Sequence, residues 1–129
     1  HIGPNGAGQV AKACNQMTMV AAIEAAAEAM RRAAASGVDC ARVRQALAGG
    51  SAASRVLDMM GERMVKRDFT AGIEARLHHK DFGLVLEAAR KSGVPVPLTA
   101  TVAQQLNALM AQGWGADDTA SLLRVLELS

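Results

Sequence analysis

The chain has 129 residues, enough for one domain with a real core, and half of them are apolar. The apolar set is mostly Ala, Leu, Val and Met, with Phe69, Phe82 and Trp114 as the only aromatics, so the default fold class is all-α and a sheet-based fold is disfavoured. A formal net charge of +2, with basic residues spread and not clustered, speaks against nucleic acid or an anionic membrane as partner.

The chain opens at His1 on a turn-rich stretch, Gly3-Pro4-Asn5-Gly6, that reads as the tail of a preceding element, so the chain is expected to be a piece of a longer protein. A long helix is predicted over residues 8–36, with Gly37 as its stop. Its middle, residues 17–30, is Ala-rich on nearly every face, which calls for packing by other helices, some of them from a second subunit. Asp39 is the expected N-cap of a short helix through Leu47, closed by Gly49-Gly50, and Ser51 or Ser54 starts another from Arg55 to about Met64. Residues 66–72 form a polar connection. Apolar residues at helical spacing predict a helix over 73–92, stopped by Gly93. Pro95 and Pro97 force an extended break before a helix over 98–112. After Gly113-Trp114-Gly115, Asp117 or Asp118 caps a last helix through Leu128. The sum is a helix bundle built around one long N-terminal helix, with neither a convincing strand nor an internal repeat.

Residues 17–35 are the nearest approach to a membrane span, and Glu24, Glu28, Arg31 and Arg32 interrupt them. No basic start or cleavage site marks a signal peptide, and Cys14 and Cys40 read as buried, reduced thiols of a cytoplasmic protein, with a disulfide as the lesser alternative.

Two clusters carry chemistry. The first is Gly6-Ala7-Gly8-Gln9-Val10-Ala11-Lys12-Ala13-Cys14-Asn15-Gln16. Glycines at a helix start allow close backbone approach, and free N–H groups there favour an anion. Asn15 and Gln16 follow Lys12 by three and four residues, so all three project from one side of the helix. They offer a proton donor and two amides above a carboxylate-binding site. A Lys near the positive end of a helix, among Ala and Val, is also expected to have a lowered pKa, as a general acid near neutral pH requires. The plainer alternative is a lysine that snorkels from a helix end beside solvated amides. The second cluster is His78-His79-Lys80-Asp81. Adjacent histidines diverge on a helix and do not chelate one metal, so no metal site is expected, and Lys80-Asp81 has the alternative of a solvated pair.

Gly-x-Gly-Gln-x-x-Lys-x-x-Asn, here Gly6 to Asn15, resembles the catalytic helix start of the β-hydroxyacid dehydrogenases. The stretches Val43-Arg44-Gln45-Ala46-Leu47, Gly49-Gly50, Ala53-Ser54-Arg55, Gly61-Glu62-Arg63-Met64-Val65-Lys66-Arg67 and Leu77-His78-His79-Lys80-Asp81 are most similar to its tartronate semialdehyde (2-hydroxy-3-oxopropionate) reductase branch, as is Asn15-Gln16. The resemblance implies that residues 1–129 are the helical C-terminal substrate and dimerisation domain, like that of 6-phosphogluconate dehydrogenase-like enzymes. An N-terminal Rossmann domain binding NAD or NADP would lie outside this chain. It implies reduction of tartronate semialdehyde to glycerate, or oxidation of 3-hydroxyisobutyrate or another small β-hydroxyacid. Lys12 matches the catalytic lysine that protonates the carbonyl oxygen, Asn15 and Gln16 the substrate-orienting positions, and Lys80 the lysine near cofactor and substrate. Gly8, His78 and Asp81 are supporting residues. The long helix is implied to pack against a partner subunit in a homodimer or higher homo-oligomer. Ile73 stands where relatives often carry Phe facing the site. The Gly-rich dinucleotide fingerprint and the substrate-binding Ser-Gly-Gly segment are absent from this sequence, so the chain alone is expected to be inactive. Alone, it is alternatively a non-catalytic dimerisation module.

Overall fold

The computed structural model describes residues 6–128, and these form an all-α bundle with no strand among them. The helices are α1 (Ala7–Ala35), α2 (Cys40–Ala48), α3 (Arg55–Lys66), α4 (Ala75–Ser92), α5 (Pro97–Ala111) and α6 (Leu122–Leu126), with a single 3-10 turn, Thr119–Ser121, before α6. Helix α1 has 29 residues and would span ~43 Å. It is the spine: every other helix packs against it, while α2 pairs with α3 and α4 with α5.

The start of α1 is set by Gly6, whose φ of 91° is open to glycine and strained for other residues. Its end is a left-handed stop: Gly37 has φ 72°, and the Val38 N–H reaches back to the Ala33 carbonyl at 2.9 Å. Between them Val20, Ile23, Ala27 and Met30, three or four residues apart, sink into the core with Phe82, Val102, Leu106, Leu109 and Leu122. Not every face is covered. Ala25 and Glu28 stay exposed, and Met17, Ala21, Ala22 and Ala25 line an apolar groove of about 530 Å³ with Val96, Pro97 and Leu98. No helix among the described residues is long and apolar enough to cross a membrane.

The caps fall largely where side-chain chemistry places them. The Asp39 carboxylate accepts from the Ala41 N–H at 2.9 Å, and Ser54, not Ser51, caps α3 by accepting from Leu57 N–H at 2.9 Å. Three expectations are corrected. The helix expected from residue 73 begins at Ala75, because the Gly72 and Ile73 N–H groups both donate to the Asp118 carboxylate and Glu74 is extended. The last helix does not run from its cap to Leu128: Asp118 caps the 3-10 turn, and α6 spans only Leu122–Leu126. Cys14 is exposed, because it lies on the outer side of α1; Cys40 is half-buried, its Sγ donating to the Met30 carbonyl at 3.4 Å.

Candidate functional site

The two clusters singled out in the sequence lie on different helices, and the fold joins them. The Gln16 side-chain N–H donates to Asp81 Oδ2 at 3.1 Å, tying the third turn of α1 to the second turn of α4 across 65 residues of chain. Lys12 is one helical turn before Gln16, and Lys80 adjoins Asp81. Both lysines are exposed, and neither has an ion-pair or hydrogen-bond partner among the described residues. Asn15 is exposed beside them. The result is one half-buried amide–carboxylate tie flanked by two unspent ammonium groups, a surface suited to an anionic ligand. Lys80 and Asp81 do not pair with each other; Asp81 is held by Gln16 instead.

Gly8 lies in the first turn of α1 with open space where a Cβ would stand. Nothing among the described residues requires glycine there. Ile73 is 42 % exposed, in the turn that leads into α4.

The two histidines diverge as adjacent helical positions must. His79 Nε2 lies 2.7 Å from Asn107 Oδ1 on α5. His78 is wholly buried, with Nδ1 2.6 Å from Thr119 Oγ1 and Nε2 unpartnered. Burial holds its pKa below the usual imidazole value, outweighing the upward pull of Asp81 and Asp118. His78 therefore enters as a neutral wedge between α4 and the 3-10 turn.

The placement of α4 rests on a segment whose role the sequence did not disclose. The Ala75 and Arg76 N–H groups, the first of α4, donate to the Asp117 and Gly115 carbonyls at 2.8 and 2.9 Å. Asp118, fully buried, accepts from Gly72 N–H at 3.0 Å and Ile73 N–H at 3.3 Å through Oδ1, and from Ala120 N–H at 2.9 Å through Oδ2. Arg63 Nη1 stands 3.8 Å from the same carboxylate. These bonds fix where α4 begins, and so where Lys80 and Asp81 fall against α1. Asp118 was visible in the sequence as a cap; its bonds to residues 46 and 45 positions away were not.

Residues 6–126 match the family model described as the NAD-binding region of NADP-dependent 3-hydroxyisobutyrate dehydrogenase. The chain belongs to the β-hydroxyacid dehydrogenase family. It is 43 % identical over 127 residues to the 2-hydroxy-3-oxopropionate reductase of Escherichia coli, covering 98 % of this chain and 44 % of that protein. A probable mitochondrial 3-hydroxyisobutyrate dehydrogenase-like protein of Arabidopsis thaliana is 33 % identical over 126 residues, covering 98 % of this chain and 38 % of that one. The crystal structure of a Salmonella typhimurium 3-hydroxyisobutyrate dehydrogenase superposes with a TM-score of 0.90 at 27 % identity, covering 93 % of this chain and 42 % of that one. The chain thus spans under half the length of these relatives.

Proposed function

We propose that this chain is the helical C-terminal domain of an NAD- or NADP-dependent reductase that converts tartronate semialdehyde to glycerate, reversibly, with Lys12 as general acid. The observation that carries the reading is the Gln16–Asp81 tie with the unpaired Lys12 and Lys80 beside it. A substrate with a carboxylate and a neighbouring carbonyl asks for an anion site and a proton donor, and these residues supply both.

In this reading Lys12 donates its proton to the carbonyl oxygen, which gains negative charge as the carbon is reduced. Asn15 and Gln16 orient the substrate through their amides, and Asp81 keeps the Gln16 side chain in one rotamer. Lys80 attracts the anionic groups of substrate and cofactor, and Gly8 leaves the α1 backbone approachable. The nicotinamide, when bound, supplies the hydride. Its binding surface belongs chiefly to an N-terminal Rossmann domain outside this chain, so the chain alone is inactive and acts as a helical module that pairs with a second copy through α1.

A second reading keeps these roles and changes the substrate to 3-hydroxyisobutyrate or another small β-hydroxyacid. It is favoured by the family model's description. The test uses the full-length enzyme and follows nicotinamide oxidation with tartronate semialdehyde, beside oxidation of 3-hydroxyisobutyrate. Turnover of the semialdehyde that falls about a hundredfold or more in Lys12→Ala is expected. Near-normal turnover in that variant removes Lys12 as the acid, and preference for 3-hydroxyisobutyrate selects the second reading.

A further inference from the structure

Helix α1 also carries a buried ionisable group that the proposed chemistry does not use. Glu24 lies two turns beyond Gln16, between Val20, Ile23 and Ala27, all fully buried. It is itself only 4 % exposed, and both carboxyl oxygens are sealed from solvent without a hydrogen-bond partner. An ionised carboxylate is far more costly than a neutral one in such a place, and the usual remedy is a cation.

None is at hand. On α3, Arg63 reaches Thr70 and Asp118, and Lys66 reaches Glu62. Arg44 of α2 donates to the Asp58 backbone carbonyl and faces the Glu62 carboxylate, and Arg124 of α6 donates to Asp117. On α4, His78 and Asp81 face Thr119 and Gln16. Helix α5 has no charged residue at all. Glu28, a turn further along α1, adds a charge of the same sign.

We propose that Glu24 is a proton-linked switch in the spine of the bundle: neutral while α1 is packed, and drawn out of the core, loosening the middle of α1, when it ionises. Its neighbours Ala21 and Ala25 line the apolar groove between α1 and the start of α5, so the route to water lies one residue away.

Burial, with Glu28 adding to it, pushes the Glu24 pKa up from 4.5 to about 7. The packed state then holds a proton that the unfolded chain has released, so the packed form weakens as pH rises from 4.5 toward 7. The largest effect this allows is about 300-fold in the folding constant, tenfold for each unit of pKa difference.

The experiment is a carbon-13 NMR titration of glutamate carboxyls in this chain between pH 4 and 9. Urea unfolding of wild type, Glu24→Gln and Glu28→Gln accompanies it. One glutamate carboxyl should titrate near neutrality and vanish from the Glu24→Gln spectrum. The wild-type folding constant should fall relative to Glu24→Gln by about a hundredfold as pH rises through that range, while Glu28→Gln keeps the slope. If Glu24→Gln does not fold, Glu24→Leu replaces it, and the wild-type titration stands by itself. Glutamates that all titrate below about pH 5.5, or wild-type and Glu24 variants with parallel stability curves, would overturn the proposal.

Discussion

Replacing Asp118 by Ala should be among the most damaging single changes outside the apolar core. The carboxylate accepts three backbone N–H bonds, from Gly72, Ile73 and Ala120, and faces the Arg63 guanidinium. A hydrogen bond to a charged group contributes about 1.5–3 kcal/mol, and loss of a cap about 1 kcal/mol. Simple addition overstates the sum, because Arg63 is partly exposed and keeps its bond to the Thr70 carbonyl. About 3–5 kcal/mol remains, in the range seen when one partner of a buried ion pair is removed. That is a large fraction of the roughly 5–15 kcal/mol that holds a domain folded. Asp118→Asn keeps one oxygen for Gly72 and Ile73 but turns an NH₂ toward the Ala120 N–H, so it should lose less. Urea unfolding of the three proteins at one pH measures both differences. A loss below about 1 kcal/mol in Asp118→Ala would refute the view that this carboxylate sets the start of α4.

Gly8→Ala should raise stability by about 0.5–1 kcal/mol, since a helix prefers Ala and nothing among the described residues stands within 4 Å of the new Cβ. In the full-length enzyme the same change should lower turnover, because the methyl group blocks the backbone approach assigned to Gly8; unchanged turnover would release Gly8 from the site. His78 predicts a second pH effect, opposite in sign to that of Glu24. Its folded pKa lies below the unfolded value of 6.5, so its contribution is whole above pH 6.5 and is lost as pH falls. Stability curves of wild type and His78→Gln should therefore converge on acidification, and curves that stay parallel below pH 6.5 would remove the effect.

Much of this fold was legible because its signals are local. Gly37 and Gly93 stop helices by taking the left-handed conformation, and Asp39 and Ser54 cap within three residues of themselves. The start of α4 was misjudged because a distant carboxylate claims the N–H groups of Gly72 and Ile73. Cys14 was misjudged for a related reason: an Ala-rich helix does not declare which side meets its neighbours. Lys12, Asn15 and Gln16 became candidates through spacing together with the family resemblance, and Lys80 and Asp81 through the resemblance. The Gln16–Asp81 bond that unites them depends on how two helices cross, which no local pattern encodes. Glu24 looked like a residue that breaks up an apolar run; only the packing revealed it as a buried carboxyl without a partner.

The dependence of α4 on residues 115–118 also orders events in time. The first N–H groups of α4 are satisfied by carbonyls some forty residues later, on the last stretch before α6. A ribosome adds roughly 5–20 residues per second, so α4 waits seconds for the backbone that fixes its start. Until then the first turn of α4, which leads to Lys80 and Asp81, lacks its anchor. A chain that stopped before Gly115 would thus lose more than its final helix: it would lack the segment that aligns its two site-bearing helices.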